Sequence, residues 1–92
     1  MKVSVEFKGH IIAIEKSILG KINFKIDGET QKIKSGFFAN NLTNTQYEGE
    51  ILSGRDKGDK VRVEIKTGIF SDTVTFFYNG EAIDSKELSP FL

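Results

Sequence analysis

Apolar and polar residues alternate along most of the 92-residue chain, which is typical of half-buried β-strands. The alternation is clearest over residues 61–66, where Val and Ile alternate with charged residues. The dipeptides Asp27-Gly28 and Asn79-Gly80 each follow such a stretch and indicate two-residue hairpin turns, and Lys8-Gly9 offers a third turn. We therefore predict strands over residues 3–7, 12–19, 22–26, 29–34, 47–51, 61–66, 74–78 and 81–83.

Two parts of the chain depart from this pattern. Residues 35–46 are mostly polar and rich in turn-forming residues, so we predict a long loop or irregular crossover there. No window has convincing helical periodicity, and a helix can be placed only near residues 84–88. The sequence predicts one all-β domain over residues 1–92, an antiparallel β-sandwich or flattened barrel of about seven or eight strands.

The chain also contains a candidate internal repeat. Residues 12–30 align with residues 63–82 when one extra residue is allowed in the intervening turn, and the alignment superposes Asp27-Gly28-Glu29 on Asn79-Gly80-Glu81. A true repeat would imply two related sheet halves that pack face to face. Hairpins with period two also resemble one another by chance, so the sequence leaves both explanations open.

The same residues resemble a known family. The segments that carry the resemblance are Ile12-Ala13-Ile14-Glu15, Gly20-Lys21, Ile26-Asp27-Gly28-Glu29, Val63-Glu64-Ile65 and Phe76-Phe77-Tyr78-Asn79-Gly80-Glu81. In this order they are similar to the two-repeat β-sandwich of the Fas apoptotic inhibitory molecule family. The resemblance implies a β-sandwich and a non-catalytic, protein-interacting role in modulating cell survival. The chain has Gly36-Phe37-Phe38 where the family has a tryptophan, and no functional residue carries over.

Composition excludes several classes of function. The 13 basic residues balance the 13 acidic ones, so the net charge gives no attraction toward nucleic acid or an anionic membrane. The absence of cysteine excludes disulfides, thiolate metal sites and a thiol nucleophile. No stretch has the roughly 20 apolar residues of a membrane span, and the N-terminus lacks the pattern of a signal peptide. We therefore expect a cytoplasmic protein with no membrane or nucleic-acid partner.

Few residues offer catalytic or metal-binding chemistry. A Ser-His-Asp triad would have to use His10, the only histidine, with Ser4 or Ser17 and with Asp27. No nucleophile-elbow pattern accompanies His10, so we expect it to be solvated or hydrogen-bonded locally at the start of a hairpin. An enzyme would require a cleft that contains His10 and a paired carboxylate. We predict no catalytic residues and no cofactor.

A calcium site is the second chemical option. Two carboxylates flank Gly58 in the turn over residues 53–59, but the turn lacks the ligand series of an EF-hand and carries basic residues. A solvated hairpin turn is therefore the better interpretation, and we predict no metal site.

The candidate binding residues are aromatic or lie in the polar segment. Phe37 and Phe38 are adjacent, so in an extended backbone their rings would point to opposite sides, and we expect Phe77 on the strand face opposite Phe76. These rings predict a protein-interaction module that uses an aromatic patch or an unpaired sheet edge, with a homodimer as one arrangement. The alternative is a small-molecule or carbohydrate binder on the 35–45 loop, in which Asn40 and Asn41 contact the ligand.

Overall fold

A computed structural model describes residues 2–17, 21–31 and 44–88 of the chain. These residues form two four-stranded sheets in which neighbouring strands are antiparallel and follow chain order, which confirms the predicted all-β sandwich. Sheet 1 contains β1 (Lys2–Phe7), β2 (His10–Lys16), β3 (Ile22–Ile26) and β4 (Glu29–Thr30). Sheet 2 contains β5 (Asn44–Glu50), β6 (Lys60–Thr67), β7 (Asp72–Tyr78) and β8 (Glu81–Leu88). Because the strands follow chain order, each sheet is a meander.

The three predicted two-residue turns are present, and each has positive φ at both central residues. This is the conformation of a type I′ turn, whose twist matches the twist of the strands that it joins. Glycine supplies the second position without steric cost, and Asn or Asp tolerates the first. The φ angles are 52° and 79° at Lys8-Gly9, 53° and 82° at Asp27-Gly28, and 48° and 86° at Asn79-Gly80.

The two sheets share one hydrogen-bond arrangement. In sheet 1 the Asp27 N–H donates to the Ile11 carbonyl at 2.8 Å, and the Ile11 N–H donates back to Asp27 Oδ1 at 2.8 Å. In sheet 2 the Asn79 N–H donates to the Lys60 carbonyl at 2.7 Å, and the Lys60 N–H donates to Asn79 Oδ1 at 2.8 Å. By this arrangement Ile11 corresponds to Lys60. The sequence alignment instead places Ile11 opposite Arg62, two residues further along the chain. A common origin of the two halves stays a prediction.

The core lies between the sheets and draws on both of them. Phe24 of sheet 1 and Phe76 of sheet 2 are its largest fully buried side chains. On β7 the alternation is as predicted, because Thr75 and Phe77 lie on the outer face. The buried apolar residues are Val3, Val5, Ile12, Ile14, Phe24, Ile26, Tyr47, Ile51, Val61, Val63, Ile65, Val74, Phe76 and Tyr78.

Two strand bounds predicted in sheet 2 are wrong. Residues 84–88 are not helical but continue β8 to Leu88, which pairs with Asp72 of β7. The predicted loop over residues 35–46 also extends too far, because Asn44 already belongs to β5 and pairs with Lys66. In both places the backbone pairs with a neighbouring strand, although the side chains lack clear alternation. Residues 18–20 and 32–43 lie outside the described residues, and so do the ends predicted there for the second and fourth strands.

The described part of the chain contains no helix with the length and hydrophobicity that crossing a bilayer requires.

We expect Gly49→Ala to lower the free energy of unfolding by about 1–3 kcal/mol, the usual cost of overpacking. A Cβ at Gly49 would lie 3.1 Å from Gln31 Oε1 and 3.3 Å from Phe24 Cε2, and both side chains are buried. Urea denaturation measures the change, with Gln46→Ala as the control because Gln46 is exposed on the same strand. Stabilisation by Gly49→Ala, the ordinary effect of replacing glycine within a strand, would contradict this close packing.

Candidate functional site

His10 lies at one end of sheet 1, next to the turn after β3. It is the first residue of β2, and because β2 and β3 are antiparallel, the start of β2 lies beside Asp27 at the end of β3. His10 Nδ1 is 2.6 Å from Asp27 Oδ2, and Asp27 Oδ1 accepts the Ile11 N–H. The expected local hydrogen bond of His10 is therefore present.

The second contact of His10 is not local. Its Nε2 lies 2.7 Å from Oδ2 of Asp56, which belongs to the turn between β5 and β6 of sheet 2. The base of this turn is closed by a hydrogen bond from the Gly58 N–H to the Ile51 carbonyl at 2.9 Å. The His10 side chain is only 15% exposed, so it is not solvated as the alternative expectation held. One imidazole thus joins the two sheets, and we refer to Asp27, His10 and Asp56 as the His10 clamp.

The geometry of the His10 clamp requires a protonated imidazole. An ionised carboxylate only accepts hydrogen bonds, so each ring nitrogen that faces one must carry a hydrogen. The hydrogen bonds to Asp27 and then Asp56 raise the pKa of His10 above its ordinary 6.5, against an opposing effect of burial. In return, the hydrogen bonds from His10 and from the Ile11 N–H lower the pKa of Asp27 below its ordinary 3.8. His10 and Asp27 therefore each favour the charged form of the other.

Two aromatic rings, Tyr78 and Phe7, lie beside the His10 clamp at this end of the sandwich. The Tyr78 ring stacks at 6.5 Å from the His10 ring and lies 4.9 Å from the Phe7 ring, while Lys8 Nζ lies 5.2 Å from the centre of the Tyr78 ring. The Tyr78 hydroxyl donates to Asp59 Oδ2 at 2.6 Å. Burial, followed by this hydrogen bond, raises the pKa of Tyr78, and the same bond lowers the pKa of Asp59.

The contacts of His10 do not assemble a nucleophilic triad from the described residues. Asp27 does reach His10. Ser17, however, follows the far end of β2, where its hydroxyl accepts a hydrogen bond from the Lys21 N–H. Ser4 lies on β1 and pairs with Ala13 of β2. Both imidazole nitrogens are also engaged by carboxylates, which leaves no lone pair to act as a base. As arranged here, the His10 clamp is an ion-pair cluster.

The carboxylates of the candidate calcium turn point into the protein. Asp56 contacts His10 and Asp59 contacts Tyr78, so neither is oriented toward a shared cation position. Residues 2–17, 21–31 and 44–88 contain no group of three or more side chains arranged to hold a metal ion.

Of the predicted binding residues, the structure places only Phe77 within its described part. Phe77 is half-buried on the outer face of sheet 2, and the guanidinium carbon of Arg62 lies 4.1 Å from its ring centre. A cation at this distance covers part of the ring and interacts favourably with it. Phe37, Phe38, Asn40 and Asn41 lie outside the described residues, so the 35–45 loop and its ligand stay a prediction.

A more exposed apolar surface lies at the tip of the hairpin between β6 and β7. Ile69 and Phe70 are 88% and 81% exposed, and we refer to this pair as the apolar tip. The turn is closed by a hydrogen bond from the Gly68 N–H to the Ser71 carbonyl at 2.9 Å. A Cβ at Gly68 would lie 2.6 Å from the same carbonyl oxygen, so this turn requires glycine. The sequence interpretation missed the apolar tip, although two large apolar residues directly after a glycine, between two alternating strands, were a visible signal.

Together the fold and these surfaces define a small antiparallel β-sandwich with a partly exposed ion-pair cluster at one end and an exposed apolar pair in a hairpin turn. Comparison with known proteins found no family, no curated protein and no solved structure that matches the chain. The resemblance to the Fas apoptotic inhibitory molecule family therefore stays a prediction.

Proposed function

We propose that this β-sandwich is a non-catalytic protein-interaction module and that the apolar tip is its main contact surface. The observation that supports the proposal is the exposure of two adjacent large apolar side chains, Ile69 and Phe70, on a turn closed by a backbone hydrogen bond. Burial of each side chain against a partner would contribute about 1.5–3 kcal/mol. A turn closed by this hydrogen bond would lose less backbone entropy on binding than an open turn.

A second copy of the chain is the simplest partner. The formal net charge is zero, so two copies do not repel each other strongly. A twofold contact would bury the apolar tips of both copies, four side chains in all, with a gross gain of about 6–12 kcal/mol. Association itself costs about 4–15 kcal/mol, so the net affinity is weak. We therefore expect a dimer only at high protein concentration, and tighter binding to a partner that offers an apolar pocket.

Phe77 is a secondary candidate within this proposal. Phe77 is five residues after Asp72, the first residue of β7, and Asp72 lies next to the apolar tip. Five residues of a β-strand span about 17 Å. A partner that contacts both surfaces would have to extend along most of sheet 2. The Arg62 guanidinium would also have to move away from the ring or join the interface.

Light scattering over a concentration series up to about 1 mM tests the proposal, since contacts of this strength give millimolar to micromolar dissociation constants. We expect the weight-average mass to rise with concentration in the wild type and to stay at the monomer value in Ile69→Ser/Phe70→Ser. Ile11→Ser is the matched control, because Ile11 is 53% exposed near the opposite end of the sandwich. A wild type that is monomeric throughout, or an equal effect of Ile11→Ser, would contradict self-association through the apolar tip.

A further inference from the structure

The two carboxylates of the His10 clamp are held unequally. Asp27 has two partners, His10 Nδ1 and the Ile11 N–H, and it lies in a two-residue turn. Asp56 lies in a longer turn, and among the described residues His10 is the one group to which its carboxylate hydrogen-bonds. The side chain of Asp56 is nevertheless only 21% exposed, since the contact draws it toward sheet 1. Loss of the contact with His10 would therefore leave Asp27 anchored and Asp56 free to move.

Removal of one proton from His10 would break only one of these contacts. A neutral imidazole has one N–H and one lone pair. The anchored Asp27 keeps the hydrogen on Nδ1, so the Nε2 lone pair would face Asp56 Oδ2 at 2.7 Å, which is repulsive. The carboxylate of Asp56 can relieve this repulsion by turning into solvent.

Two other titratable groups at this end, Tyr78 and Asp59, keep their state while His10 titrates, because their pKa values are shifted away from neutral pH. Tyr78 and Asp59 hold each other through a 2.6 Å hydrogen bond, which raises the pKa of Tyr78 and lowers that of Asp59. Lys8 Nζ lies over the rings of Tyr78 and Phe7, at 5.2 and 5.8 Å from their centres. His10 is the only histidine of the chain, so a conformational change near neutral pH points to this residue.

From this geometry we propose that the His10 clamp is a pH-controlled latch. While His10 is protonated, it holds the 53–59 turn of sheet 2 against sheet 1. When His10 loses its proton, Asp56 leaves and the turn is released, while the Asp27 contacts of sheet 1 remain. The latch is independent of the apolar tip, which lies at the other end of β6.

Nuclear magnetic resonance over pH 5–9 tests the latch in the wild-type protein. The His10 ring signals report its protonation, and the amides of Lys57 and Asp59, which donate to Gly54 and Asp56 within the turn, report the state of the turn. We expect hydrogen-exchange protection of these amides, corrected for the intrinsic effect of pH, to fall with the midpoint of the His10 titration. Protection of the Ile11 amide, which donates to Asp27, should stay constant.

Asp56→Asn provides the matched variant. An asparagine can accept from Nε2–H through its oxygen or donate to a bare Nε2 through its nitrogen, so it can hold the turn in both states of His10. We expect the pH response of the turn to disappear and the pKa of His10 to fall. Because coupling is reciprocal, the closing equilibrium of the turn in the wild type should change tenfold for each unit by which closing of the turn raises the pKa of His10. Turn protection that ignores the His10 titration, or an equal pH response in Asp56→Asn, would overturn the latch.

Discussion

Phe76→Ala should lower the free energy of unfolding by about 3–5 kcal/mol, the largest single effect that we expect in this chain. Phe76 is fully buried in the middle of β7 and belongs to the core that both sheets share. Its truncation removes the transfer free energy of a large side chain and leaves a cavity that the surrounding strands can fill only in part. A small domain has about 5–15 kcal/mol of stability in total, so the variant should be close to the limit of folding.

Phe77→Ala is the matched control for this prediction, because the neighbouring ring lies half-buried on the outer face of the same strand. Its truncation should cost well under half as much and leave the slope of the denaturant transition unchanged. Urea denaturation followed by circular dichroism measures both variants. Equal losses for Phe76→Ala and Phe77→Ala would contradict the assignment of the two faces of β7.

His10→Ala should lower the free energy of unfolding by about 2–3 kcal/mol near pH 6. The substitution removes two hydrogen bonds between charged groups, each with a net value of about 1.5–3 kcal/mol, and leaves two carboxylates without their cation. The combined loss is smaller than for a fully buried pair, because the Asp27 side chain is 44% exposed and water can solvate it after the change.

The effect of His10→Ala should depend on pH in a defined direction. Because folding raises the pKa of His10, its stabilising contribution is complete below its ordinary 6.5 and is lost as pH rises through the higher pKa of the folded state. Because folding lowers the pKa of Asp27, the contribution of Asp27 is complete above its ordinary 3.8 and is lost as pH falls through the lower folded pKa. The His10 clamp therefore stabilises the fold most between these two values.

Denaturation of wild type and His10→Ala at several pH values checks this dependence. The difference in stability should be largest from about pH 4 to 6.5 and should shrink toward pH 9. The Phe76→Ala variant, if it remains folded, should keep the wild-type pH response, since its cavity contains no titrating group. A difference between wild type and His10→Ala that is constant from pH 5 to 9 would argue against a protonated imidazole in the clamp.

The parts of the fold that the sequence predicts well are those determined by neighbouring residues. Period-two alternation assigns faces strand by strand, and Asp27-Gly28 and Asn79-Gly80 specify their turns through backbone conformation alone. The prediction ended β8 too early, because this strand has mostly exposed residues on both faces and so lacks alternation. It also began β5 too late, because the start of that strand is polar. There the strand forms because a neighbouring backbone offers hydrogen bonds, a property of the partner strand rather than of the segment itself.

The same distinction applies to the site residues. The pairing of His10 with Asp27 follows from a hairpin, in which the start of one strand lies beside the end of the next. The contact with Asp56 spans 46 residues and depends on how one sheet packs on the other, for which no local pattern exists. The apolar tip, in contrast, could have been found from Gly68-Ile69-Phe70, since large apolar residues in a tight turn have no nearby core face to join.

The central claim, that two copies of the chain bind each other through the apolar tip, is tested most directly by placing a photo-reactive p-benzoylphenylalanine at position 70 and, as a control, at position 11. Irradiation of the purified protein at high concentration should give a discrete cross-linked dimer from position 70 and little product from position 11. Adding Ile69→Ser to the position-70 variant should reduce the yield, because half of the apolar surface is then lost. No product from position 70, or equal yields from the two positions, would contradict the claim.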